Sequence, residues 1–540
     1  MPEAGPRWGR EVERTTVAGH PCLVYSRRPR ALSDLLLDAR RWGDREYLVQ
    51  GDRRLTRAAH ERAVARVAAN LRARGVGPGD RVLLLGFNSI EWVVAFWALQ
   101  ILGAVPALGN AWWGEEEARH AVRQVAPALA VTDRDLGPDL ARVSFAELRS
   151  LVDGEGQPPL DPAPTAEDDL ALIMFSSGTT GAAKGVLMSH RSVVANIHNL
   201  LLLTGRLPDE LPADHPGTVS MLSVPLFHLA GIQVSLNTLL SGGRAVFLTG
   251  RFDPGEVLRL IETERVRVWG SIPTMVSRVL DHPDFGAYDT SSVSSVPMGG
   301  AAVSAELRAR VSEQFTGVKS RVGSLYGLTE AGGVLAAGSG ADVAARPGTV
   351  GRALPVVELA VREAGPDGTG EITARTPTMT DGYLGDPEPI ADSQGWVRTG
   401  DLGWIDDDGW LYVTGRSKDI IIRGGENIAA AHVEQALLRH PDVIEAAVVG
   451  LPDPDLGEQV AAAVVLRPGA AVDVAALRAH AQAHLGRFEV PGLWWTHPGP
   501  LPTSPSGKIL RRVVRDDWPR PADENEGDGK QAGDLATPRP

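Results

Sequence analysis

Cysteine occurs once in the 540 residues, at Cys22, so the chain has no intramolecular disulfide and no cysteine-based zinc cluster, and its composition fits a reducing, cytoplasmic compartment. Lysine is nearly as scarce. Of 54 basic residues only five are lysine, namely Lys184, Lys319, Lys418, Lys508 and Lys530, and arginine supplies the rest. Basic charge as a whole is in deficit: 67 acidic residues give a formal net charge of −13, which argues against a nucleic-acid partner or an anionic-membrane binder. Long hydrophobic runs are missing too. The most apolar stretch, residues 93–109, contains Gln100 and Pro106 and falls short of the roughly 20 residues that a span requires. It predicts a buried helix running into a strand, and no membrane span. The opening segment, residues 1–16, lacks an apolar core of its own, so no secretory signal is expected.

What is present supports a large core, since 43% of the residues are hydrophobic, and the length predicts more than one domain. Residues 57–74 place Ala58, Val64, Val67, Ala68 and Leu71 at helical spacing and stop at Gly75, after which residues 81–85 form an apolar strand. The alternation then repeats. Helix 91–102, capped by Asn88 or Ser89, strand 104–108, helix 115–125 and strand 128–132 imply a largely parallel sheet with helices on both faces. A Pro-rich acidic connector at 153–168 precedes a strand at 170–175, and βα units continue to about residue 350. From 351 to 412 the texture changes to short strands separated by turns such as Pro366-Asp-Gly-Thr-Gly370, which predicts a β-rich subdomain. A compact segment with helices at 431–439 and 474–485 and strands at 443–449 and 461–466 follows. The expected organisation is an α/β protein. A lead-in at 1–29 precedes a large domain at 30–415 built of βα-layered and β-rich parts; a small α+β domain at 416–515 and a polar, disordered tail at 516–540 complete it.

The strongest chemical signal is Phe175-Ser-Ser-Gly-Thr-Thr-Gly-Ala-Ala-Lys-Gly185, directly after a strand. Small and hydroxylated residues let backbone N–H groups approach a polyanion, and Lys184 adds a point charge, so the segment reads as a phosphate loop. It is not a Walker A loop, because its lysine does not directly follow glycine and is not followed by Ser or Thr. Ser189, just beyond, is placed to cap a helix over 193–203.

This segment, with those that follow it in order, resembles the adenylate-forming superfamily of acyl-CoA synthetases, peptide-synthetase adenylation domains and luciferases, over about residues 30 to 515. The resemblance implies that Ser176, Ser177, Gly178, Thr179, Thr180, Gly181 and Lys184 wrap ATP phosphates, with Ala183 standing where the family usually has proline. Pro297-Met-Gly-Gly-Ala-Ala302 is similar to the segment where adenine and acyl group meet the backbone, which assigns Gly299, Gly300, Ala301 and Ala302. In Tyr326-Gly-Leu-Thr-Glu330, the resemblance implies that Tyr326 packs on adenine, that Gly327 belongs to the nucleotide site, that Thr329 contacts a phosphate oxygen, and that Glu330 holds Mg²⁺. Asp401 of Arg398-Thr-Gly-Asp401 would accept from both ribose hydroxyls, a task suited to the several acceptor sites of a carboxylate.

Further on, Gly415-Arg-Ser-Lys-Asp-Ile-Ile-Ile-Arg-Gly-Gly-Glu-Asn-Ile428 matches Arg416 to the ribose, Lys418 to the interdomain hinge, and Gly424 and Gly425 to the pantetheine tunnel. The family's aromatic residue and proline after that stretch are replaced by Ala429-Ala430. Lys508, in Pro502-Thr-Ser-Pro-Ser-Gly-Lys-Ile-Leu-Arg-Arg512, would bridge the substrate carboxylate and the α-phosphate, lowering the repulsion of two anions that must meet. His228, in Pro225-Leu-Phe-His-Leu-Ala-Gly231, matches an aromatic gate beside the acyl pocket. It is not needed as a base, since a carboxylate is already ionised at neutral pH.

The activity implied is two-step: a carboxylic acid and Mg²⁺-ATP give acyl-AMP and pyrophosphate, and CoA then takes the acyl group and releases AMP. The absence of an Asp in the 227–231 segment argues against an amino-acid substrate and leaves fatty, aryl and other organic acids open. Three rivals remain at this stage: a ligase loading a carrier-protein thiol, a luciferase-like oxidation, and a nucleotide-binding scaffold without turnover. The last would be marked by loss of Lys508, Glu330 or Asp401, all of which are present.

Overall fold

The computed structural model describes residues 7–176, 183–299, 303, 305–318, 323–424, 426–467, 469–470, 472–503 and 509–519. Two compact units part between Asp419 and Ile420.

The first unit is layered α/β. One six-stranded sheet runs in the order Lys184–Ser189, Leu170–Ser176, Val105–Gly109, Arg81–Leu85, Leu129–Val131, Arg142–Val143. All its pairings are parallel except the first, where Lys184–Ser189 folds back antiparallel on Leu170–Ser176. The apolar stretch read as a buried helix and strand is that: Ile90–Leu102 is buried on every side, ends at a left-handed Gly103 and leads into Val105–Gly109. At 13 residues and 1.5 Å per residue the helix is about 20 Å long, well under a bilayer core. Among the described residues no helix is long and apolar enough to cross a membrane. Ser89, not Asn88, caps it by accepting from the Trp92 N–H. Asn88 instead ties the loop 224–226, donating to the Val224 carbonyl at 2.8 Å and accepting from the Leu226 N–H at 2.7 Å. Ser189 likewise caps His190–Leu203, which starts three residues earlier than its apolar spacing predicts.

A second sheet orders Val219–Leu222, Arg244–Phe247, Glu46–Gln50 and Arg53–Thr56. Single parallel bridges carry it onward from Ser220 to Val268 to Ser295, and from Ser271 to Met298 to Ser324. There the third sheet begins. It is antiparallel throughout, in the order Ser324–Leu328, Gly333–Gly338, Thr349–Ala353, Trp410–Arg416, Val397–Ile405, Gly370–Arg375, Glu358–Arg362. The β-rich part therefore starts at Ser324 instead of residue 351. The reason is that Ser324–Leu328 has a parallel bridge on one side and an antiparallel hairpin on the other, a switch that local composition does not signal.

The segment before residue 30 is more than a lead-in. Val12–Val17 and His20–Tyr25 form an antiparallel hairpin that buries Cys22 completely, and burial pushes the thiol up to about 11, which leaves it protonated and inert. The Tyr25 hydroxyl donates to Asn199 Oδ1 at 2.6 Å, and Arg14 pairs with Glu358, so the hairpin is built into the large unit.

The second unit has a five-stranded sheet. Glu426–Ala429, Ile420–Arg423, Gly457–Leu466 and Val443–Asp453 run antiparallel, and Leu493–Thr496 adds parallel to Gly457–Leu466. Helices Ala430–Leu437 and Val474–His484 cover it through Val433, Leu437, Leu477 and Ala481. The result is the small α+β unit expected.

Three histidines lie inside the large unit in the neutral form. Burial lowers His60 to about 3 and His190 and His198 to about 4. A histidine depressed in the folded state favours folding above its unfolded value and opposes it as the pH falls. Each is expected to cost about 2 kcal/mol at pH 5 relative to pH 7.5. The melting temperature should therefore fall steeply between pH 6.5 and 4; a melting temperature unchanged from pH 7.5 to 5 would contradict the neutral burial.

Candidate functional site

The antiparallel sheet brings three of the expected nucleotide residues together. Tyr326, on Ser324–Leu328, is buried and donates its hydroxyl to Asp401 Oδ2 at 2.8 Å. Asp401, on Val397–Ile405, faces Arg416 across the ladder, and its Oδ1 accepts from Arg416 Nε at 3.0 Å. The Asp401 N–H donates to Thr399 Oγ1, whose hydroxyl is anchored on the Ile372 carbonyl. Burial, then the Asp401 carboxylate, raises the Tyr326 phenol far above its ordinary value, so it remains a donor. A carboxylate has about four lone-pair directions; the tyrosine and the arginine take two and aim the rest.

Glycine is required in this hairpin. A Cβ on Gly327 would lie 2.1 Å from the Gly333 carbonyl oxygen, so any side chain would force the two strands apart. The turn that follows holds Thr329 and Glu330. Gly332 N–H closes it on the Thr329 carbonyl at 2.9 Å. Thr380 Oγ1 donates to the Glu330 carbonyl at 2.9 Å, and Thr378 Oγ1 to that of Ala331 at 2.6 Å. The Glu330 carboxylate accepts from the Tyr383 hydroxyl at 3.3 Å. Lys184, first residue of Lys184–Ser189, places its ammonium over the face of the same Tyr383 ring, 5.0 Å from the centroid. Lys184 and Glu330 thus meet on one side chain. Burial, then Glu330, pushes the Tyr383 phenol up to about 12.

Gly299 sits beside this group, since its neighbour Met298 bridges Ser324, two residues before Tyr326. Ser176 is the last residue of its strand. Ser177, Gly178, Thr179, Thr180, Gly181, Gly300, Ala301, Ala302, Gly425 and Lys508 lie outside the described residues. His228 immediately precedes helix Leu229–Leu240, with its ring 4.8 Å from that of Phe227. Phe227 meets Trp112 edge-on at 5.3 Å, and Trp112 meets Phe87 at 5.5 Å. These three aromatic residues line a cavity of about 220 Å³ together with Ser223 and Thr274; His228 is not among its lining residues.

At the end of the large unit, Lys418 occupies the one-turn helix Ser417–Asp419, the last residues before the units part. In the second unit Gly424 turns between Ile420–Arg423 and Glu426–Ala429 with φ +59°, a left-handed value that favours glycine. Beside it a cavity of about 540 Å³ is lined by Arg423, Arg478 and Arg487 with Gln459 and Gln482. Arg423 Nη1 is held on the Phe488 carbonyl at 2.7 Å.

Motif reading missed Tyr383, Thr378, Thr380 and Thr399. A signal for two of them was available: Thr376-Pro-Thr378-Met-Thr380 repeats hydroxyls at a strand period, which marks an extended segment bonding to a neighbour.

The family model described as AMP-binding enzyme matches residues 37–384, and that described as AMP-binding enzyme C-terminal domain matches residues 432–508. The chain belongs to the AMP-binding enzyme family. Among curated relatives, a feruloyl-CoA synthase of Amycolatopsis is 37% identical over 86% of this chain and 94% of its own. A CoA ligase of Rhodococcus jostii, acting on a methyl-dioxo-octahydroindenyl propanoate, is 32% identical over 89% of this chain and 97% of its own. Among solved structures, ATP-bound MatB from Rhodopseudomonas palustris superposes with a TM-score of 0.79 at 27% identity, covering 90% of this chain and 98% of its own. The chemistry of the chain is that of an AMP-forming acid–thiol ligase, ATP-dependent acyl-CoA formation through an acyl-adenylate.

Proposed function

We propose that this ligase activates a compact aryl or cyclic carboxylic acid, that ATP is held by the residues gathered around Asp401 and Glu330, and that CoA is the acceptor. The observation that carries the nucleotide assignment is Asp401, buried and aimed by Tyr326 and Arg416 with acceptor capacity to spare. That capacity matches a ribose diol. Lys184 and the loop from Ser176 to Gly181 take the phosphates; Gly299 to Ala302 and Tyr326 to Thr329 flank the base and the reacting centre. Mg²⁺ fits Glu330, a hard carboxylate oxygen donor beside the phosphate lysine. Among the described residues no group of three or more His, Cys, Asp or Glu gathers as a cage, which suits an ion that keeps waters and arrives with the nucleotide. When bound it neutralises phosphate charge.

The first step then needs only approach. The ionised substrate carboxylate attacks the α-phosphorus, pyrophosphate leaves, and Lys508 stabilises the charge that accumulates between them. In the second, a turn about Lys418 replaces Lys508 by the Gly424 and Gly425 face, the CoA thiolate attacks the acyl carbonyl, and AMP leaves. The arginine-lined cavity beside Gly424 suits the phosphates of CoA, which a guanidinium fork grips in pairs. Gly425→Leu is expected to leave pyrophosphate release intact and to abolish thioester output; normal output would remove Gly425 from the thiol path.

For the acid, two features support the aryl reading: the relative that makes feruloyl-CoA, and the cavity edged by Phe87, Trp112 and Phe227, whose rings suit stacking or edge-on contact with an aromatic acid. The test is pyrophosphate release across benzoate, 4-coumarate, ferulate, octanoate and palmitate, each with and without CoA. Release confined to palmitate would overturn the aryl assignment. The lone buried cysteine supports a cytoplasmic setting.

A further inference from the structure

We propose that Tyr383 is a positioning residue for the phosphate end of the site, holding the Glu330 carboxylate with its hydroxyl and the Lys184 ammonium with its ring face. The inference rests on the assignment of Glu330 to the metal and Lys184 to the phosphates. An anionic metal ligand and a phosphate-binding cation that lie close together face a common problem. If they pair directly, each neutralises the other and neither is available to the nucleotide. Among the described residues Lys184 and Glu330 form no ion pair with one another, and Tyr383 stands between them. Its two chemically different parts fit the two charges: the negative ring face attracts the ammonium, 5.0 Å from the centroid, and the phenolic O–H donates to Oε1 of the carboxylate at 3.3 Å.

The backbone makes this placement stiff. Asp381 N–H donates to the Leu187 carbonyl at 2.9 Å, Leu187 N–H to that of Gly382 at 3.0 Å, and Leu384 N–H to that of Gly185 at 2.7 Å, with Val186 and Tyr383 paired antiparallel. The 381–384 segment is thereby an extra rung on the strand that begins at Lys184. On its other flank, Thr380 and Thr378 hold the main chain of Glu330 and Ala331. Tyr383 is thus fixed to both partners by main-chain contacts and touches each with one end of its side chain.

The experiment is equilibrium ATP binding to the full-length protein by calorimetry, without carboxylic acid, across a Mg²⁺ series and in EDTA. Tyr383→Phe keeps the ring and loses the hydroxyl. It is expected to raise the Mg²⁺ concentration at half-effect about three- to tenfold, the span of one hydrogen bond, and to leave binding in EDTA unchanged. Tyr383→Leu loses both contacts and is expected to weaken binding in EDTA as well. Neither variant should alter KM for CoA. Glu330→Gln separates the two levels of argument. If it shifts the Mg²⁺ midpoint and Tyr383→Phe does not, the role of Tyr383 is overturned. If Glu330→Gln shifts nothing, the metal assignment itself falls, and the proposal with it. A Tyr383→Phe protein with a lowered melting temperature and all constants depressed alike would show a structural role only and would also overturn it.

Discussion

Replacing Lys508 by alanine is expected to slow acyl-adenylate formation by about 10²–10³-fold, the cost of removing one preorganised group from a developing charge, while thioester formation from supplied acyl-AMP continues. The asymmetry follows from the chemistry of the two steps. In the first, a carboxylate and a polyphosphate must come within bonding distance, and a cation between them lowers both the approach barrier and the energy of the pentavalent state. In the second, the electrophile is a mixed anhydride already formed, and the proposed mechanism gives Lys508 no part in the departure of AMP. Pyrophosphate release and thioester yield, measured separately, check this; equal loss in both would remove Lys508 from its assigned step. Lys508→Arg is expected to rescue poorly, because a planar fork does not replace a point charge on a flexible stem.

Asp401→Ala carries the second large effect. The residue is 6% exposed and its carboxylate is already engaged by the Tyr326 hydroxyl and the Arg416 guanidinium. Removing it deletes the proposed ribose acceptor and leaves two donors without their anion. Hydrogen bonds to a charged group are each worth about 1.5–3 kcal/mol, so ATP affinity is expected to fall by about 10²-fold or more. The discriminating measurement uses 2′-deoxy-ATP. The unmodified protein should bind it more weakly than ATP, and Asp401→Ala should bind the two alike. A variant that still distinguishes them would place the ribose elsewhere.

The elements near the site differ in how much of them was legible beforehand. Helix Ile90–Leu102, a cap for it at Asn88 or Ser89 and the capping of His190–Leu203 by Ser189 were readable because a cap and an apolar period act within a few residues of one another; only the structure chose Ser89 over Asn88. Asp401 and Arg416 were readable as motif members, yet their pairing across adjacent strands was not, nor was Tyr326 closing on the same carboxylate from a strand at the far end of the sheet order. The N-terminal hairpin escaped notice for a related reason. Each strand is short, and its anchors, Asn199 and Glu358, lie in distant segments.

The scarcity of lysine narrows to a physical statement. Of the five, the two in described residues stand at Lys184, against the Tyr383 ring, and at Lys418, beside the parting of the units. Sequence alone determined the reaction class, the ordered motifs and most of the runs of helix and strand, because those depend on residue type and short-range spacing. Tertiary structure alone decided that Tyr383 touches both Glu330 and Lys184, that Asp401 is aimed from two sides, and that Cys22 is sealed from solvent. Each of these depends on backbone ladders and side-chain contacts between segments far apart in the chain, where the partner, and not the local pattern, sets position.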